Sequence, residues 1–78
     1  MDGPRLNVES FPGYKGEHTP RSFTLEGKTL LVERVVDCWY SETHSYFRVK
    51  ANDGQRYVLR LDLDDELWEL VMVERKDD

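Results

Sequence analysis

From Ser22 to Glu74 the chain alternates apolar and polar residues over short stretches divided by polar or glycine-containing breaks. A period of two marks extended chain with one face turned toward a core. Ser22-Phe23-Thr24-Leu25 reads as a short strand behind Pro20, which favours an extended Thr19, and Glu26-Gly27-Lys28 reads as a turn. Residues 29–40, TLLVERVVDCWY, carry the longest strand signal, dense in β-branched and aromatic side chains and free of glycine and proline. A helix is the competing reading there, and that density disfavours it. Leu30, Val32, Val36, Cys38 and Tyr40 fall on one face with Arg34 as the break, which predicts a bulge near 33–35.

Ser41 to Ser45 is polar and predicts a loop, after which Tyr46–Ala51 alternates again. Asp53-Gly54 between two alternating runs predicts a two-residue type I′ hairpin turn, since that turn needs positive φ at both centres. Such a turn sets Val49 against Val58, Lys50 against Tyr57 and Arg48 against Leu59, and so places Tyr57, Leu59 and Leu61 on the face of Tyr46 and Arg48. Both faces of the hairpin are then partly apolar, as a curled sheet or small barrel requires. Asp62–Glu66 is an acidic loop, and Leu67–Glu74 a last strand with Trp68, Leu70 and Met72 on one face and Leu67, Val71 and Val73 on the other.

In residues 1–19, Gly3, Pro4, Pro12, Gly13 and Gly16 break any period, which predicts a flexible arm with Phe11 and Tyr14 pinning it to the body. Residues 75–78 are expected to fray. The fold expectation is one all-β domain over 20–74: a small curled antiparallel sheet or SH3-like partly open barrel of four to five strands behind an irregular N-terminal arm.

Composition sharpens this picture. Seventy-eight residues, 38% hydrophobic and 35% charged, allow only a thin core, and nine aromatic residues compensate by the area each buries. Cys38 is the single cysteine, so an intramolecular disulfide and a multi-cysteine zinc site are excluded and a reducing compartment fits. The first residues hold no apolar run of the kind a signal peptide needs, and no stretch approaches the ~18 apolar residues of a membrane span; the expected location is the cytoplasm. The net charge of −5 is uneven: −1 over residues 1–20, +2 over 21–60 and −6 over 61–78. The acidic total opposes nonspecific binding to phosphate backbones, while the basic middle leaves room for a local patch.

Candidate chemistry is sparse. Asp62, Asp64, Asp65 and Glu66 suggest a calcium loop, but the sixth and twelfth positions from Asp62 are Leu67 and Val73 rather than glycine and glutamate. A solvated acidic loop is the better reading. Cys38 with His44 or His18 would make a nucleophile pair, yet Cys38 is expected as an inert buried thiol on an apolar strand face. Trp39 and Trp68 are expected to close the core. Arg34, Arg48, Lys50, Arg56 and Arg60 interleave with Tyr40, Tyr46 and Tyr57. That mixture suits a stacking platform for single-stranded nucleic acid or arginine stems covering a barrel edge.

Pro20-Arg21-Ser22-Phe23, Val35-Val36-Asp37-Cys38-Trp39-Tyr40, Tyr46-Phe47-Arg48-Val49, Asp53-Gly54, Tyr57-Val58-Leu59-Arg60 and Trp68-Glu69-Leu70 together resemble small uncharacterised bacterial domains over about residues 20–71. The pattern is also similar to a C-terminal accessory module in bacterial relatives of translesion DNA polymerases. That resemblance implies an accessory role and supplies no catalytic residue. The expectation is a non-enzymatic interaction module without cofactor or metal, a monomer or weak homodimer, binding another protein through Tyr40, Tyr46, Arg48, Tyr57 and Arg60. An exposed edge strand is a further route to a partner, by strand addition. The alternative is an accessory nucleic-acid-binding domain of DNA repair or replication using the same face; an enzyme built on Cys38 or His44 ranks last.

Overall fold

Each strand pairs antiparallel with the next in sequence, and the last returns to the first, so the sheet closes on itself as a barrel. The computed structural model describes residues 5–12 and 18–74. The strands are β1 (Arg5–Pro12), β2 (His18–Leu25), β3 (Lys28–Tyr40), β4 (His44–Ala51), β5 (Arg56–Asp62) and β6 (Trp68–Glu74). The all-β small barrel is as expected, with six strands and a closed sheet.

The extra strand lies inside the expected arm. Glycines and prolines cluster at both ends of Arg5–Pro12 and hide its alternation, in which Leu6 and Val8 turn to the core. β1 pairs with β2 from Asn7↔Thr24 to Pro12↔His18. Phe11 lies exposed on this hairpin and meets the body through Arg21 of β2, stacked over its ring at 4.9 Å, rather than through the core. Tyr14 and the tail at 75–78 lie outside the described residues.

Two turns exchange the roles their sequences suggest. The two-residue turn with positive φ at both centres is Glu26-Gly27 (φ 52° and 79°), which joins the paired residues Leu25 and Lys28. At Asn52-Asp53-Gly54 the loop has three residues: Ala51 N–H donates to Gln55 O (2.9 Å), and Gly54 takes φ 86°. A three-residue loop ending in a left-handed glycine is the next commonest hairpin solution. The extra loop residue moves the register by one, so Val49 faces Tyr57 and Phe47 faces Leu59. A one-residue slip transfers side chains to the opposite face, and it carries Tyr57 into the core.

β3 does bulge, at two places: its register with β4 shifts between Val32 and Arg34 and between Val35 and Asp37. Its ladder with β2 ends at Ser22↔Leu31, where β2 itself shifts register at Arg21 and meets Pro20, which has no N–H to offer. From Glu33 to Tyr40, β3 therefore has only β4 as ladder partner among the described residues. Bulges and charged side chains along such an edge discourage pairing with another chain.

Phe23 (1% exposed), Val49 and Leu59 form the centre of the core, with Phe47 tilted against Trp68 at 5.5 Å. Trp68 is buried as expected. A further bulge between β5 and β6 leaves Val71 unpaired, so Val73 faces Tyr57 while Met72 turns outward opposite Val58; the expected alternation of Trp68, Leu70 and Met72 fails at that point. Among the described residues, β1 and β6 close the barrel through Arg5↔Glu69 and Leu6↔Trp68.

Candidate functional site

The outer surface of β3, β4, β5 and β6 gathers most of the side chains that carry chemistry. Alternation on β4 sends Ser45, Phe47, Val49 and Ala51 inward, so Tyr46, Arg48 and Lys50 face out. The short β3–β4 connection sets Trp39 opposite Tyr46 and Asp37 opposite Arg48. Trp39 is 38% exposed rather than part of the core, because its register opposite Tyr46 sets it on the outer face. Its ring lies parallel to Tyr46 (5.5 Å between centroids, 2° between planes). That spacing is an offset stack, the preferred arrangement of two aromatic faces.

Arg48 sits beside this pair. Its guanidinium carbon lies 5.4 Å from the Trp39 ring centre, within cation–π range. Arg48 Nη1 is 3.7 Å from Asp37 Oδ2, and Nε is 3.2 Å from Glu74 Oε1. The Nε contact is ionic but poorly aligned, leaving this buried N–H without a hydrogen-bond partner among the described residues. Beneath the face, Val58 is 2% exposed yet belongs to no part of the core cluster; its register between Arg48 and Met72 places it on the outer side, covered by its neighbours.

Arg60 Nε donates to Glu69 Oε1 at 2.6 Å. That bond, with the Glu69 charge and a contact to Tyr46, raises the guanidinium pKa despite the opposing effect of burial. At the end of the face, His44 Nε2 lies 3.6 Å from Asp62 Oδ2, and its ring is tilted against Tyr46 at 6.0 Å. Asp62 accepts N–H bonds from Asp64 and Asp65 (2.9 and 3.1 Å), which hold its carboxyl below the usual range. The acidic segment is thus a self-capped turn. Among the described residues no three His, Cys, Asp or Glu side chains group to hold a metal.

Three of the five residues expected at a contact surface, Tyr46, Arg48 and Arg60, come together here. Tyr57 does not: it is 4% exposed, packs edge-on to Phe23 (5.0 Å) and donates its hydroxyl to Asp53 Oδ2 at 2.6 Å. Burial, then the Asp53 hydrogen bond and charge, push its pKa up to about 12. Tyr40 is 59% exposed and pairs with Ser45, on the opposite side of β3 from Trp39, with its hydroxyl 3.9 Å from Cys38 Sγ. Cys38 is exposed rather than buried, because β3 runs on past the strands that would cover it. His44 and Cys38 lie on different sides of the sheet, in register with Asp62 and Phe47. His18 opens β2 instead of lying in a loop.

Sequence reading missed Trp39, Asp37, Glu69 and Glu74 as parts of this face. Trp39 was within reach: a three-residue β3–β4 connection between Tyr40 and His44 aligns it with Tyr46. The acidic partners from β6 depend on the Val71 bulge and could not be found that way.

A second concavity, of about 240 Å³, lies over β1, β2 and the start of β3, lined by Asn7, Val8, Glu9, Ser22, Thr24 and Thr29. Two pairs of its polar groups meet, with Ser22 Oγ donating to Glu9 Oε1 at 3.4 Å and the Thr24 and Thr29 hydroxyls 3.2 Å apart. The described residues include no helix long and apolar enough to cross a membrane. No protein-family model, curated protein or solved structure matches the chain.

Proposed function

We propose that this protein is a non-enzymatic interaction module that binds another protein through the outer face of β3, β4 and β5, with Trp39, Tyr46 and Arg48 at its centre. The observation that carries this reading is the pairing of the cations beside the exposed aromatic stack: Arg48 with Asp37 and Glu74, Arg60 with Glu69. Phosphate binding beside the stack would require the cations there to be free to replace counterions, whereas protein contact surfaces favour tryptophan, tyrosine and arginine in a charge-compensated setting. The rigid stack and the cation–π contact hold these side chains in place, which lowers the entropy cost of docking. A free exposed thiol at Cys38 supports a reducing compartment, and the module is assigned to the cytoplasm.

Affinity capture from its native host, with wild type and the Trp39→Ala variant as parallel baits, tests the reading. A partner held by wild type and weakened by about thirtyfold in the variant is expected, the effect of losing a central aromatic contact. Capture that ignores Trp39 in a variant of unchanged melting temperature defeats the proposal. So does a single-stranded oligonucleotide that binds tightly and depends on Trp39.

A further inference from the structure

The registers that assemble the contact face also line up three cations. Arg34 on β3 lies opposite Lys50 on β4, and Lys50 lies opposite Arg56 on β5. Directly opposed side chains have Cβ atoms about 5 Å apart, so the row crosses three strands within about 10 Å. Like charges placed directly opposite weaken a sheet, and little here offsets that effect. Lys50 Nζ is 3.9 Å from Glu33 Oε1, the long limit of an ion pair. Glu74 stands in register beside Arg56, but its carboxylate lies against Arg48. Arg34 and Arg56 are exposed and have no ion-pair partner among the described residues.

We propose that this row is a second docking point on the same face, and that its occupant is a carboxylate-bearing segment of a partner protein. The inference rests on reading the face as a protein contact surface. It adds the chemistry of the partner: acidic side chains at one end, beside an apolar or aromatic group that meets Trp39 and Tyr46. Charge complementarity carries it, since two unopposed cations flank a third across a span that two or three side-chain carboxylates match. A polyphosphate fits less well. Leaving the row toward the aromatic stack, it would pass the carboxylates of Asp37 and Glu74, which repel it, whereas separate carboxylates on a peptide stop at the row.

Isotope-labelled protein titrated with hexaglutamate, hexaglutamine and oligothymidylate, at low and high salt, tests this by amide chemical shifts. Hexaglutamate is expected to shift the amides of Arg34, Lys50 and Arg56, salt to weaken it, and Arg34→Gln or Arg56→Gln to lower its affinity about tenfold, the loss of one charge-assisted contact. The same two variants should melt above wild type without peptide, because each removes a like-charge opposition. No shift at these amides at low salt, binding unchanged in both variants, or variants that melt no higher than wild type overturns the proposal. Tighter binding of oligothymidylate overturns it too and reassigns the row to nucleic acid. Trp39→Ala should leave hexaglutamate binding intact, so failure of the aromatic contact and failure of the row are read separately.

Discussion

At the residue scale, Tyr57 shows how one hydroxyl links the core to pH. Its ring fills the interior against Phe23, and its hydroxyl reaches Asp53 at the hairpin loop. The pKa rises from the ordinary 10.0 to about 12, so the folded state favours the neutral phenol. A folded pKa above the unfolded one gives a contribution that is full below pH 10 and lost as pH rises through about 12. Urea unfolding should therefore show wild type losing stability across that window. Tyr57→Phe should be about 1 kcal/mol less stable at neutral pH, from the lost hydrogen bond, and should lack this component of the alkaline loss. An identical alkaline profile in the two proteins would place the loss elsewhere.

Among the elements, the turns hold the most local information and supplied the main misreading. Glu26 adopts φ 52°, a conformation that costs a residue with a Cβ about 1 kcal/mol or more. Glu26→Asn should raise stability by about 0.5 to 1 kcal/mol, because asparagine before glycine suits positive φ at both turn centres; thermal melting checks it, and a lower midpoint contradicts the turn geometry. Strand identity from Thr29 to Glu74 was legible, since alternation and β-branched density agree there. Face assignment was less so. It requires the register, and the register depends on whether Asp53-Gly54 closes a loop of two residues or three. One residue decided whether Tyr57 lay on the face of Tyr46 or on that of Phe47 and Val49. The bulge on β6 similarly moved Met72, the exposure of Cys38 came from β3 outrunning β2, and β1 was masked by its flanking prolines and glycines. Tyr46 and Arg48 were found because β4 alternates regularly around them, whereas Arg60 meets Tyr46 only through the same one-residue shift.

For the whole molecule, the core is one cluster shared by all six strands, and its shortest ladder among the described residues lies between β1 and β6. Leu6 is buried there against that cluster. Leu6→Ala should cost about 2 to 4 kcal/mol. It should also speed amide exchange in β1 more than in β4 and β5, where the ladders are longest. Uniform acceleration across all strands would show instead that the barrel opens only as a unit.

That seam has a kinetic meaning. It joins positions 5 and 6 to 69 and 68, the most distant neighbours along the chain of any ladder in the molecule. Contacts of such separation are reached late, after the intervening hairpins have zipped up. The barrel thus has a preferred order of assembly, a meander first and a hoop last, and heat or force should undo it in the reverse order, parting Leu6 from Trp68 while the central hairpin still holds.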